Sequence, residues 1–397
     1  MQIALTNGHT RINLYCFKRH IRLNFIASML ILAIETSCDE TALAIVKASG
    51  NLKTGPGFEV IKEVVSSQIA IHRPFGGVVP NLAKREHIKN LPILLKKLLD
   101  SNFQLLNSID AIAVTVGPGL EPALWAGITF AQKLAHEHKK PLIGVNHLEG
   151  HLYSFLLPQG QKRIMNNELG IKGKKKIYNP TPNSQFLIPN SSSIFPAVAL
   201  IVSGGHTVLL LLKNLKSWKR LGETRDDAVG EAFDKVARVL KLPYPGGPEI
   251  QKLVEKLPKG WKDKINFPRP MIGTKDYDFS FSGLKTSVLY YVRDHKKYSK
   301  TDVASSFSNA AIDVLSKKTM RAASDFNAQS ILLSGGVAAN KMLREKLSKK
   351  AKEGGIKFFV AEHKYNTDNA VMIAVAGYMN ILRKKRYKME ADGMLNI

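Results

Sequence analysis

Cysteine is nearly absent from this chain of 397 residues: Cys16 and Cys38 are the only two. Neither a disulfide framework nor a cysteine-built zinc site is on offer, and the scarcity fits a reducing compartment. Long apolar runs are missing as well. The longest near the start, 25–34, is ten residues interrupted by Ser28, about half of what a membrane-spanning helix needs. Acid is the third shortage, with 32 Asp+Glu against 58 Lys+Arg and a net charge of +26. Such a balance draws in phosphate backbones and points to a polyanionic partner. What is present is ordinary for a soluble globular protein, 44% hydrophobic and 23% charged, in a chain long enough for two domains.

Residues 1–28 carry Arg11, Lys18, Arg19 and Arg22 and no acid. That pattern reads as a transit peptide or as an upstream start, because Met29 stands directly before the first apolar run. Strand, polar turn and strand follow over 30–46. The turn offers Thr36, Ser37 and Thr41 as donors, and Asp39 and Glu40 for a cation or an amine. A strand over 58–71 and an amphipathic helix over 80–100 come next. A strand at 109–116 is closed by Gly117-Pro118-Gly119, and a helix spans 122–138, with Ala126 and Gly127 small enough for close packing. Residues 158–195 change character to Gln, Asn, Ser, Pro, Gly and Lys, and read as a basic polar insertion.

From Pro196 the opening design repeats, strand, turn and strand around Ser203-Gly204-Gly205-His206-Thr207, which hints at internal duplication. Thr224 is a candidate helix cap. Asp226, Asp227, Glu231 and Asp234 crowd carboxylates that a cation or a substrate donor would make less costly. Pro245-Gly246-Gly247-Pro248 reads as a tight turn and 279–286 as a loop leading into a helix over 284–294. A helix over 302–327, a buried strand, a Gly335-Gly336 turn and a helix over 338–350 follow. The last strand runs through 365–370 into a helix over 371–383, and a basic tail ends the chain.

His147-Leu-Glu-Gly-His151 follows the apolar run 141–145 directly. If the segment is helical, the two imidazoles share a face and can hold one divalent metal, given a third ligand from elsewhere. Two plain histidines at a helix start fit the same letters. Glu149 lies roughly 200° around the helix from His147, so the order is not that of a zinc protease. Asp368, at a strand-to-helix junction, is the candidate third ligand.

Taken in order, ETSCDET, GGVVPNLAKREH, GPGLEPALW, NHLEGH, VSGGHT, DDAVGEAFDK, YPGGP, FSFSGLKT, SGGVAANKMLR and TDNA resemble the TsaD family of tRNA N6-adenosine threonylcarbamoyltransferases, closer to its bacterial branch. The resemblance runs from about Leu30 to Tyr378. It implies an α/β architecture of two actin/Hsp70/sugar-kinase-like (ASKHA) domains facing a nucleotide cleft. The expected division is 29–157 for the first domain, completed by a helix at about 368–383, then 196–367 for the second, with 384–397 as tail. The implied reaction transfers the threonylcarbamoyl group of threonylcarbamoyl-AMP to N6 of adenosine 37 in tRNAs reading ANN codons, releasing AMP. The implied ligands of one divalent ion, Fe²⁺ or else Zn²⁺ or Mg²⁺, are His147, His151 and Asp368. The adenylate is expected against Ile201, Val202, Ser203, Gly204, Gly205, Asp234, Gly247 and Asn340. Asp39 and Glu40 match acids near the reacting centre. tRNA, a TsaB-like paralogue and a TsaE-like ATPase are the implied partners, with no membrane, in the cytoplasm or, if 1–28 is a transit peptide, the mitochondrial matrix. The competing classes are an ASKHA-fold ATPase or kinase and a non-catalytic tRNA-binding scaffold.

Overall fold

A computed structural model describes residues 28–100, 104–157, 186–187, 193–258 and 260–397. The transit-like start and most of the basic insertion therefore lie outside the described residues. The fold rests on two mixed sheets. In the first, β1 (Met29–Glu35), β2 (Glu40–Asn51) and β3 (Gly55–Ser67) form an antiparallel meander. Strands β4 (Ala111–Gly117) and β5 (Leu142–Asn146) extend it in parallel from β1, and β6 (Phe186–Leu187), inside the expected insertion, pairs with the β3 edge. The second sheet repeats the plan. Strands β7 (Ala197–Val202), β8 (Thr207–Leu212) and β9 (Trp218–Glu223) make the meander, with β10 (Ser330–Ser334) and β11 (Lys357–Val360) parallel to β7. The strand orders β5-β4-β1-β2-β3 and β11-β10-β7-β8-β9 correspond one to one, so the duplication hinted at by the two turns is topological.

Nine helices longer than one turn are described: α1 (Pro80–Leu98), α2 (Glu121–Glu137), α3 (His147–Tyr153), α4 (Val229–Val239), α5 (Gly246–Val254), α6 (Ser282–Asp294), α7 (Lys300–Asp325), α8 (Lys341–Glu353) and α9 (Ala370–Arg383). Strand β1 is apolar up to Glu35 because both of its faces are covered. Leu32 and Ile34 face α1 and α2 through Leu98, Leu124 and Ile128. Ile31 and Ala33 face a central core that also takes in Ala199 and Ile201 of β7, Leu152 of α3 and Ile373 of α9. Helices α3 and α9 thus form a layer common to both sheets. All residues 370–380 of α9 are buried, which is why that helix is apolar on every side. The residues of interest lie on α3 and just ahead of α9.

Two local expectations are corrected and two further features are added. The 245–248 segment is not a free turn: Pro245 caps α5, which starts at Gly246 because Asp234 Oδ1 accepts from Gly246 N at 2.7 Å. Thr224 does not cap α4. Thr207 Oγ1 accepts from Val229 N at 2.9 Å instead, across the sheet. Strand β9 went unforeseen because its WKRLGE sequence carries the charges that protect a sheet edge. The basic tail packs back on the fold: Asp392 N donates to Val116 O at 2.8 Å, and Met389, Ala391 and Leu395 pack on the outer core of the first sheet.

Close packing at Gly127 is as the small side chains suggest. A Cβ there would lie 2.3 Å from Thr36 Oγ1, which itself donates to Ala123 O at 3.0 Å. The β1–β2 turn is therefore pressed onto α2. Gly127→Ala is expected to destabilise the protein by about 1–3 kcal/mol, read as a lower midpoint in urea unfolding. An unchanged midpoint would show that the turn is not so held.

Candidate active site

Asn146 ends β5 and starts α3: its side-chain oxygen accepts from Leu148 N and Glu149 N at 2.8 and 3.3 Å, which meets two of the free donors of a helix start. This cap sets His147 in the first turn and His151 one turn on, with ring centroids 4.7 Å apart. From the other end of the chain, Asn369 caps α9 by accepting from Met372 N at 2.9 Å. That leaves Asp368 immediately outside the helix. Its Oδ1 lies 3.4 Å from His147 Nε2 and 3.2 Å from His151 Nε2.

The three ligand atoms lie within 4.8 Å of one another, the spread that bonds of about 2.0–2.2 Å to one ion allow. Whether these residues suit an ion is decided by His151. It is fully buried, and neither ring nitrogen has a hydrogen-bond partner, the Asp368 oxygen being near but off line. A buried imidazole without a hydrogen bond is costly, and a cation at the point where these atoms converge removes the cost. The residues fit a divalent metal.

Beneath His147 lies a carboxylate that sequence reasoning missed. Glu35, 0% exposed at the end of β1, places Oε2 3.2 Å from His147 Nδ1. It is itself held by Thr115 Oγ1 at 2.6 Å and Ser37 N at 2.5 Å, and Ser37 Oγ is a second neighbour of His147 Nδ1 at 3.2 Å. A carboxylate on Nδ1 fixes the tautomer that points Nε2 at a metal. Burial works against the charge on each member, yet the ion pairs win. His147 is raised well above its ordinary range by Asp368 and Glu35, while His147 holds both carboxyls low. A charged residue ending an otherwise apolar strand was the available signal for Glu35.

The Asp39 and Glu40 side chains sit in the β1–β2 turn and hydrogen-bond each other; burial and the Asp39 charge push Glu40 well up. On the second sheet, Ile201 and Val202 bury their side chains in opposite cores, so only their backbone can meet a ligand. Ser203 and His206 close the turn, Ser203 N donating to His206 O at 2.8 Å and His206 N to Ser203 Oγ at 3.1 Å. Gly204, Gly205 and Gly247 have nothing within 4 Å of where a Cβ would stand. Asp234, raised by burial against the Gly246 and Gly247 N–H groups, spends one oxygen on α5. Asn340 Oδ1 caps α8 from Leu343 N at 3.1 Å, leaving its amide nitrogen for any ligand. The remaining acids of the crowded segment find partners within the protein. Asp226 takes Phe281 N and the Ser280 and Ser282 hydroxyls, and Asp227 takes Lys235 and Lys285.

The two halves touch across the mouth of this region. Arg73 Nε donates to Tyr244 O at 2.9 Å, and Arg238, one turn beyond Asp234, donates to Gly76 O.

A family model described as TsaD, tRNA N6-adenosine threonylcarbamoyltransferase, matches residues 59–164 and 184–375. The chain belongs to the TsaD family. A curated tRNA N6-adenosine threonylcarbamoyltransferase of Thermosipho africanus is 46% identical over 88% of this chain and 94% of its own length. That of Moorella thermoacetica is 43% identical over 89% and 92%, and that of Clostridioides difficile 41% over 94% and 99%. Among solved structures, HypF of T. kodakarensis aligns over 89% of this chain and 48% of its own at a TM-score of 0.51 and 13% identity. A full-length HypF in a phosphate- and nucleotide-bound form aligns over 90% and 47%, at 0.50 and 14%. These likenesses speak to the fold alone, the paired α/β ASKHA design. Membership of the TsaD family implies a metal, and the two histidines with Asp368 are residues able to hold one.

His206 is a further residue the letters did not single out. Burial first, then the nearby His147 and His151, push it down to about 4. A histidine depressed in the folded state gives stability that is complete above its unfolded value near 6.5 and is lost as pH falls towards 4. Unfolding midpoints between pH 7 and pH 4 should therefore fall more steeply for the wild type than for His206→Gln. Equal slopes would place His206 outside that linkage.

Proposed function

We propose that this chain transfers the threonylcarbamoyl group from threonylcarbamoyl-AMP to N6 of adenosine 37 of tRNA, releasing AMP. The observation that carries the reading is the convergence of His147, His151 and Asp368 at the layer common to both sheets, next to the open glycine turn 203–205. The adenylate is assigned to the second half, along the backbone of 201–205 and at Asp234, Gly247 and Asn340. The open space at the glycines lets a phosphate approach the backbone N–H groups, which can take up charge developing on the acyl group.

A divalent ion bound by the triad would polarise the acyl carbonyl and hold the threonyl end. Two imidazoles and one carboxylate with positions left open suit Fe²⁺, and Zn²⁺ and Mg²⁺ are the alternatives to test. The chain's own groups do the rest. Glu35 keeps the His147 tautomer, and Asp39, beside Glu40 where the first turn enters β2, is assigned as the base. As the adenine amine attacks the carbonyl, the new C–N bond forms and Asp39 takes the amine proton. The bond from the carbonyl carbon to the phosphate oxygen breaks, and AMP leaves as an anion.

The charge of +26 supports tRNA as the polyanion, and the working compartment assigned is the bacterial cytoplasm. Among the described residues no helix is long and apolar enough to cross a membrane. A TsaB-like paralogue and a TsaE-like ATPase are the assigned protein partners. Exposed Ile88 and Ile93 of α1 and Trp125 of α2 offer apolar surface to such a partner.

Two tests follow from this assignment. His147→Ala and Asp368→Ala should lower transfer to tRNA by at least about a hundredfold while sparing most adenylate binding, and Gly205→Val should block adenylate binding with metal binding intact. If His147→Ala transfers at the wild-type rate in metal-free buffer, the metal-assisted chemistry is refuted. tRNA affinity should fall about 10³-fold or more between 50 and 200 mM salt if six or more phosphates are contacted. A flat salt profile would reduce the charge to a solvated surface.

A further inference from the structure

Glu149 stands between the two histidines in sequence and takes no part in the chemistry above. It is nevertheless 0% exposed, a carboxylate buried on the one helix that carries both imidazoles. Its partners come from the end of the chain. Lys385 Nζ lies 2.7 Å and the Tyr387 hydroxyl 2.8 Å from Glu149 Oε1, with Arg383 Nη1 at 3.5 Å. The same chain end reaches the start of the helix, where Asn146 Nδ2 donates to Asn396 O at 3.0 Å. Asn146 is the residue whose oxygen caps α3. The last residues therefore grip α3 at two separate points, its cap and the side opposite its imidazoles.

We infer that Glu149 is a positioning residue and that residues 383–397 anchor α3 through it, setting the roll of the helix and so the placement of His147 and His151 against Asp368. The inference rests on the metal reading of His147, His151 and Asp368. Helix α3 is seven residues long, too short to hold its orientation by its own hydrogen bonds. A roll of about 15° moves atoms at a side-chain radius of about 5–6 Å by about 1.5 Å. Metal–ligand distances tolerate about 0.2 Å. The tail itself is fixed independently of Glu149. Asp392 N donates to Val116 O, and Gly144 of β5 gives Tyr387 its place, a Cβ at Gly144 standing 3.1 Å from Tyr387 Cβ.

The test uses the full chain, stripped of metal and titrated with Zn²⁺ against a chelator, with Co²⁺ as a spectroscopic reporter. Lys385→Met, Tyr387→Phe and Glu149→Gln are compared with wild type and His147→Ala, each with its melting temperature. Zn²⁺ affinity should weaken about tenfold in Lys385→Met and Glu149→Gln and less in Tyr387→Phe, with altered Co²⁺ absorption. The double variant Glu149→Gln/Lys385→Met should bind no more weakly than the weaker single variant, since both act through one contact. If Glu149→Gln does not fold, Tyr387→Phe, which loses one hydroxyl, and Lys385→Met decide. Zn²⁺ affinity and Co²⁺ spectra unchanged in every anchor variant, with binding lost in His147→Ala, overturn the anchor alone. Wild-type Zn²⁺ binding that His147→Ala leaves intact overturns the metal reading and the anchor with it.

Discussion

One buried imidazole joins the two ends of the fold. His147 lies between Glu35, at the end of the first strand, and Asp368, just ahead of the last helix. Glu35 is wholly and Asp368 largely drawn out of water, a cost that a positive partner helps to offset. A protonated imidazole can supply that partner, and so can a cation held by neutral histidines. Protons and metal therefore compete for one place. Glu35, His147 and Asp368 meet where α3 and α9 pack against β1 and β5, so the site is assembled only when the last helix is seated on the first sheet.

The duplicated sheets explain why the site has two chemistries. The turn of the first meander carries Asp39 and Glu40, and the turn of the second carries Ser203 to His206. Equivalent positions in the two halves thus present acids on one side and open backbone on the other. Arg73 and Arg238 cross between the halves close to Asp234, so the relative setting of the halves and access to Asp234 are tied together.

Much of this was legible in the letters, for physical reasons that differ by element. The strands β1, β4 and β7 announce themselves because a doubly covered strand must be apolar throughout. The His147/His151 pair is visible because helical spacing is local. Asp368 could be suggested from its junction, but its meeting with the histidines is long-range and needed the fold. Glu35 stayed hidden because its only mark was one charge after an apolar run, inside a turn already rich in polar residues. The role of the chain end stayed hidden for a related reason. Lys385 looks like solvated charge until Glu149, more than two hundred positions earlier, is found buried beside it. Thr224 and Thr207 show the same limit, since a helix start can be capped from a neighbouring strand that no local pattern reveals.

The measurement closest to the central claim is a single-turnover assay with the wild-type chain. Metal-stripped protein and protein reloaded with Fe²⁺ or Zn²⁺ are each given threonylcarbamoyl-AMP and unmodified tRNA, with and without a TsaB-like paralogue and a TsaE-like ATPase. The nucleosides are then read by mass spectrometry. The account predicts threonylcarbamoyl-adenosine and an equal amount of AMP from the reloaded protein, and little of either from the stripped protein. Equal product from both would contradict the metal-centred site, and no product from reloaded protein with every partner present would contradict the transfer itself.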